Sequence, residues 1–247
     1  MTSEDNDRRQ PMLTLNNVSL DYRSSKGSFD NGIHHVLDQV SFRLYESETL
    51  GIIGRNGVGK TTILRLMAGI FAPTRGKVTL QKGKTAALLS LGLGFNNELS
   101  GRDNALLSTM LQGSTLQQAR DYLEQIKEFS ELGESFDEPV STYSAGMRSR
   151  LGFTTALLTH VDILLIDEVL SVGDAHFKQK AQTAMKARIS SEQTVVFVSH
   201  SEPQVKELCD RVIWLDKGRL KADGEPEVVL KAYREALNPP KPAPAAN

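Results

Sequence analysis

Nine consecutive residues, Gly54-Arg55-Asn56-Gly57-Val58-Gly59-Lys60-Thr61-Thr62, constrain this 247-residue chain more than any other feature. They follow the apolar run 49–53, precede a segment with helical spacing, and fit the pattern G-x-x-x-x-G-K-[ST]. Glycine at 54, 57 and 59 permits turns that a Cβ obstructs, so successive N–H groups can converge on one anion at the positive end of the following helix. In that arrangement Lys60 reaches the β- and γ-phosphates of a nucleotide, and the Thr61 hydroxyl is a ligand for a Mg²⁺ that bridges the same oxygens. Ile63, Leu66, Met67 and Ile70 recur at i, i+3, i+4 and i+7, which predicts a helix with all four on its buried face.

With 39% hydrophobic and 24% charged residues, the chain has the composition of one large α/β domain or a core with subdomains. A net charge of −1 and a pI near 6.5 give no overall field that would select nucleic acid or anionic lipid. The single cysteine, Cys209, excludes an intrachain disulfide framework and a multi-cysteine zinc site; its plainest reading is a small buried residue. No apolar run approaches the roughly 18 residues that suggest a membrane span, so membrane contact is expected only through another protein. The polar residues 1–10 are expected to form a flexible tail without a secretion signal, and the Pro-rich residues 238–247 a disordered one.

Strands are expected at 13–20, 36–44 and 49–53, with Tyr22 leading into a turn-rich insert at 23–32. From pattern alone Tyr22 either stacks on a nucleotide base or packs at a strand end. Residues 77–81 and 85–89 read as a hairpin through Lys82-Gly83-Lys84. Leu116, Ala119, Leu123, Ile126 and Phe129 then follow helical spacing, and a small helical subdomain is expected at about 91–145. Ser144 is placed to cap a helix over 145–158, a helix is expected at 181–188, and 161–166 and 194–198 are apolar enough for parallel strands buried on both faces. An edge hairpin, 211–215 with 218–222, precedes a last helix ending near Ala236.

Acids at the end of a buried strand, downstream of a phosphate loop, stand at the edge where open α/β sheets present ligands. Asp167 is there the candidate Mg²⁺ ligand, and Glu168, one residue on, is placed to orient or deprotonate an attacking water. His200 ends another apolar strand at the same edge, where it can meet a γ-phosphate. Ser144-Ala145-Gly146 reads as a capped helix start and equally as an anion site. His34, His35, His160 and His176 form no metal-ligand pattern.

In this order, and over about 13–236, these residues resemble the ATP-binding subunit of an ABC transporter. The resemblance implies an α/β fold: a P-loop NTPase (RecA-like) core with an antiparallel β subdomain and an inserted α-helical subdomain. It implies that two copies pair head to tail as a homodimer. The Ser144-Ala145-Gly146 segment of one then closes over the γ-phosphate held by Lys60 of the other. It assigns Tyr22 to the adenine of ATP, and Asp174, in Ser171-Val172-Gly173-Asp174, to an intersubunit contact.

Two departures stand out. The usual signature Leu-Ser-Gly-Gly-Gln is here Tyr-Ser-Ala-Gly-Met, and no glutamine occurs between Lys82 and Leu111, where the family normally carries one. The run from Tyr143 to Phe153, together with Ser90-Leu91-Gly92-Leu93-Gly94-Phe95-Asn96-Asn97-Glu98-Leu99-Ser100-Gly101-Arg102-Asp103-Asn104, resembles the branch that exports O-antigen, capsule and teichoic acid. The implied role is an ATPase on the cytoplasmic face of the inner membrane that drives export of a lipid-linked polysaccharide through a separate transmembrane permease. Residues 90–104 are the expected docking surface for that permease. A regulatory pseudo-ATPase and a transporter of different cargo are the alternatives.

Overall fold

The computed structural model describes residues 10–23, 33–89, 92–167 and 174–237. Strands β1 (Pro11–Arg23), β2 (Ile33–Tyr45), β3 (Thr49–Ile53), β4 (Arg75–Leu80), β5 (Ala86–Leu88), β6 (Ile163–Ile166), β7 (Thr194–Val198), β8 (Arg211–Asp216) and β9 (Arg219–Gly224) form two sheets. In the smaller, β1 lies between β2 and β4 and is antiparallel to both. The larger has the order β5-β6-β7-β3-β8-β9 and is parallel except for β9.

The central strands are buried on both faces, and their residues alternate between two cores as a two-residue period requires. Leu50 and Ile52 of β3, Ile163 and Leu165 of β6, and Val196 and Val198 of β7 face the core shared with β1, β2 and helix α1 (Lys60–Met67). Ile53, Leu164, Ile166, Val195 and Phe197 face the opposite core, with α5 (Ala175–Ile189), α6 (Glu202–Leu208) and α7 (Pro226–Leu237). The turn between β8 and β9 is Lys217-Gly218, both at positive φ (48° and 74°), as a tight hairpin demands.

A third core is wholly helical in its setting. Ala105 of α2 (Gly101–Leu111), Leu123 and Ile126 of α3 (Leu116–Ser130) and Leu151 of α4 (Ala145–Leu158) pack around Phe136, Val140 and Tyr143. Thr115 and Gln118 close a reciprocal capping box at the start of α3, so its first orphan N–H groups are satisfied by its own side chains.

Two sequence expectations are corrected. Residues 77–81 and 85–89 do not form a hairpin: β4 pairs with β1, whereas β5 pairs in parallel with β6 in the other sheet. The tight turn does form, with the Lys84 N–H donating to the Gln81 carbonyl, but it hands the chain from one sheet to the next. Thr85 then docks on Asp162, whose Oδ2 accepts from its N–H (2.8 Å) and its hydroxyl (2.9 Å). Ile70 is not on the buried face of α1. The helix ends at Met67, Gly69 turns the chain at φ 70°, and Ile70 is 56% exposed.

The two sheets are also tied by Arg211, at the start of β8. Its Nε donates to Glu48 (2.6 Å), Nη1 to Asp223 (2.7 Å) and Nη2 to the Arg43 carbonyl on β2. Burial alone would lower the Arg211 pKa; its two carboxylate partners outweigh that and raise it, so the cation persists at any working pH.

Candidate functional site

Adjacent strands β6, β7 and β3 run parallel, so their carboxyl ends lie side by side, and each ends in chemistry. Asp167 follows β6, Ser199 and His200 follow β7, and the glycine loop follows β3. Two of the loop's glycines are favoured for different reasons. Gly54 sits at φ 153°, and a Cβ there would lie 2.4 Å from the Leu215 carbonyl oxygen of β8. Gly57 sits at φ 78° with open space around it, so only its backbone conformation requires glycine.

These ends enclose a cleft of 270 Å³. Asn56, Gly57, Gly59, Lys60, Thr61 and Thr62 line it together with Asp167 and His200. The Thr61 hydroxyl donates to Asp167 Oδ2 at 2.7 Å. Lys60 is buried, and its ammonium donates to the carbonyls of Gly54 (2.8 Å) and Arg55 (3.0 Å), which holds a positive charge inside the loop. A larger hollow of 1030 Å³ opens at the opposite edge of the sheet, among Met12, Lys84, Asp162 and Thr194. It holds none of the predicted residues, and ligands of open parallel sheets sit at the carboxyl ends, so size does not make it the site.

The donor set suits a hard divalent cation. Thr61 and Asp167 offer oxygen only, and Mg²⁺ takes one or two protein oxygens beside phosphate oxygens and waters. Among the described residues no group of three or more His, Cys, Asp or Glu is gathered.

Other predicted residues lie outside this cleft. Tyr22, 42% exposed, meets Phe71 edge-on with ring centroids 6.5 Å apart, leaving much of its surface open. Ser144 caps α4, its hydroxyl accepting from the Met147 N–H at 3.2 Å, and the small residues Ala145 and Gly146 leave that helix start uncovered. Asp174 caps α5 through the Phe177 N–H (3.0 Å), which holds its carboxyl below the usual range. Glu168 and residues 171–173 lie outside the described residues. Val36 of β2 lines the cleft and was not foreseen: it reads in sequence as one more apolar strand residue, and only the packing of the smaller sheet brings it there.

A family model described as ABC transporter matches residues 37–171, more than half of the chain. The chain belongs to the ABC transporter family. It is similar to the O-antigen export system ATP-binding protein RfbB of Klebsiella pneumoniae, 43% identical over 202 residues that cover 82% of each chain. It is also 44% identical over 203 residues to the teichoic acids export ATP-binding protein TagH of Enterococcus faecalis, spanning 82% of this chain and 45% of that one. A solved dimeric ATP-binding cassette in a post-hydrolysis state, bound to ADP and Pi, superposes with a TM-score of 0.68 at 21% identity, over 87% of this chain and 98% of that one. That likeness establishes the fold, and the expected P-loop core with its β and helical additions is borne out. As an ABC ATPase, the chain binds nucleotide.

Proposed function

We propose that this chain is the ATP-hydrolysing subunit of a transporter that exports a lipid-linked polysaccharide of the O-antigen, capsule or teichoic acid class through a separate permease. The observation that carries this reading is its similarity, across 82% of both chains, to a protein named for O-antigen export. The cleft supports the chemistry. Lys60 neutralises phosphate charge, and His200, which lines the same cleft, contacts the γ-phosphate. Thr61 and Asp167 would hold Mg²⁺, which when bound neutralises charge on the β- and γ-phosphate oxygens. Glu168 orients the attacking water and takes its proton. There is little covalent work for the protein to do in phosphoryl transfer, so positioning and electrostatics supply most of the rate enhancement.

The remaining residues act between subunits. In a homodimer the uncovered start of α4, at Ser144, Ala145 and Gly146, offers N–H donors and a helix dipole to the γ-phosphate bound by the partner copy. Asp174 contacts that copy, and Tyr22 presents its exposed ring to adenine. No described helix is long and apolar enough to cross a membrane, consistent with a peripheral subunit on the cytoplasmic face held by its permease. Residues 90–104 are the docking surface.

The test is complementation. In cells lacking the native subunit, this chain with its permease should restore surface glycan, and Lys60→Ala should not. Export restored by Lys60→Ala, or a hydrolytically active chain that restores no glycan, would refute the reading.

A further inference from the structure

Tyr143-Ser144-Ala145-Gly146-Met147, which departs from the usual family signature, and the run through Gly101 to Asn104, part of the expected docking surface, are far apart in sequence and touch in the structure. Tyr143 is 3% exposed, and its hydroxyl donates to the Ser135 carbonyl. Against the same hydroxyl lies Gly101, the first residue of α2: a Cβ there would stand 2.2 Å from the phenol oxygen and 2.9 Å from the Phe136 carbonyl. Gly101 is absent from the positive-φ residues, so it is glycine for room and not for conformation. Tyr143 and Gly101 therefore constrain each other's identity.

Backbone bonds close the same seam. The Gly101 N–H donates to Glu138 (3.1 Å), Val140 to Leu99 (2.9 Å) and Ser141 to Asn97 (2.8 Å). Asn104, 1% exposed, knits the near side: its Oδ1 accepts from the Asn96 N–H, and its Nδ2 donates to the carbonyls of Asn96, Leu99 and Ser100. On the far side Arg148 donates to the Tyr143 carbonyl (Nη2, 3.1 Å), pinning the residue before Ser144 to the first turn of α4. Residues 96–104 and 138–144 are thus one bonded unit, with the docking surface at one end and the phosphate-facing serine at the other.

We propose that Tyr143 is a positioning residue for hydrolysis: through its contact with Gly101, the placement of residues 96–104 by the permease sets the placement of Ser144 over the partner's nucleotide. This rests on the docking and dimer readings above. Tyr143 touches no substrate, and acts through Ser144. A tyrosine that only filled the helical core would leave the permease's influence on hydrolysis unchanged.

The experiment compares the isolated chain with the complete transporter in lipid vesicles, for the wild type, Tyr143→Phe and Gly101→Ala. In Tyr143→Phe the permease-stimulated kcat should fall about fivefold or more, by a clearly larger factor than the rate of the isolated chain, while the KM for ATP stays within about twofold. Gly101→Ala should show the same split, and the double variant should lose less than the product of the two single losses. Equal stimulation of Tyr143→Phe and wild type would overturn the proposal. So would parallel loss of stimulated and isolated rates with a lowered melting temperature, the mark of a merely structural residue. If Gly101→Ala fails to fold, Tyr143→Phe decides alone, since it removes one oxygen. A wild-type chain that its permease does not stimulate would sink the docking reading, and this proposal with it; a stimulated wild type beside an equally stimulated Tyr143→Phe would sink only the proposal.

Discussion

Replacing Gly54 and Gly57 separately with alanine distinguishes crowding from backbone strain within one loop. Both sit at positive φ, but a Cβ at Gly57 meets nothing within 4 Å, whereas one at Gly54 would sit 2.4 Å from the Leu215 carbonyl oxygen and 2.9 Å from Val58 Cγ2. Gly57→Ala should therefore cost only the left-handed backbone penalty, about 1–2 kcal/mol. Leu215 belongs to β8, which is laddered to β3 through Ile52 with Ile213 and Ile53 with Trp214, so its carbonyl cannot retreat without loosening the central sheet. Gly54→Ala combines about 1–3 kcal/mol of strain in a conformation open only to glycine with about 1–3 kcal/mol of overpacking. For a chain of this size each kcal/mol moves Tm by about 2–4 °C, so Gly57→Ala should lose about 2–8 °C and Gly54→Ala about 4–24 °C. Thermal melts and ATP titrations on the two proteins measure this. Equal Tm losses, or a larger one for Gly57→Ala, would refute the claim that the Leu215 carbonyl fixes the loop's entrance.

Other outcomes follow from single groups. Glu168→Gln should keep ATP affinity within about threefold while turnover falls about a thousandfold, because the water loses its proton acceptor; normal turnover would reassign that role. Arg102 and Lys127 hold the Asp137 carboxyl down at about 2. A depressed carboxylate stabilises the fold above its unfolded pKa near 3.8 and loses that contribution as pH falls through about 2. The pair is 47% exposed on the acid's side, so screening limits the contribution to about 1 kcal/mol or less. Asp137→Asn should lose less stability than wild type over that interval in acid titrations followed by circular dichroism. Burial pushes the Cys209 thiol up to about 12, so alkylation at pH 8 should track global unfolding, and rapid labelling of the native protein would show that Cys209 is accessible.

Much of the site was legible because it is built from contiguous runs. The β3–loop–α1 unit carries its own strand, turn and helix signals, and β6 and β7 announce burial on both faces by unbroken apolar sequence. Ser144 as a cap could be read locally, because the bond it makes spans three residues. The β4–β5 connection could not: a polar turn between two short strands looks the same whether they pair or part, and the deciding contact, Thr85 on Asp162, spans 77 residues. The Arg211 network, whose partners Glu48 and Asp223 come from different elements, left no local pattern either. Ile70 matched the helical period, but Gly69 had already ended the helix, and a period counts residues without seeing a stop. The seam between Tyr143 and Gly101 left no local pattern, because its two sides lie 42 residues apart and meet only through packing.

The hydrolysis proposed above requires two copies that each supply part of one reaction centre. Its most direct test is the ATPase rate per chain, measured with molecular mass over a dilution series that passes from dimer to monomer. The rate per chain should fall towards zero in step with the dimer fraction. A constant rate per chain in the fully monomeric range would contradict the shared centre and with it the roles given to Ser144 and Asp174.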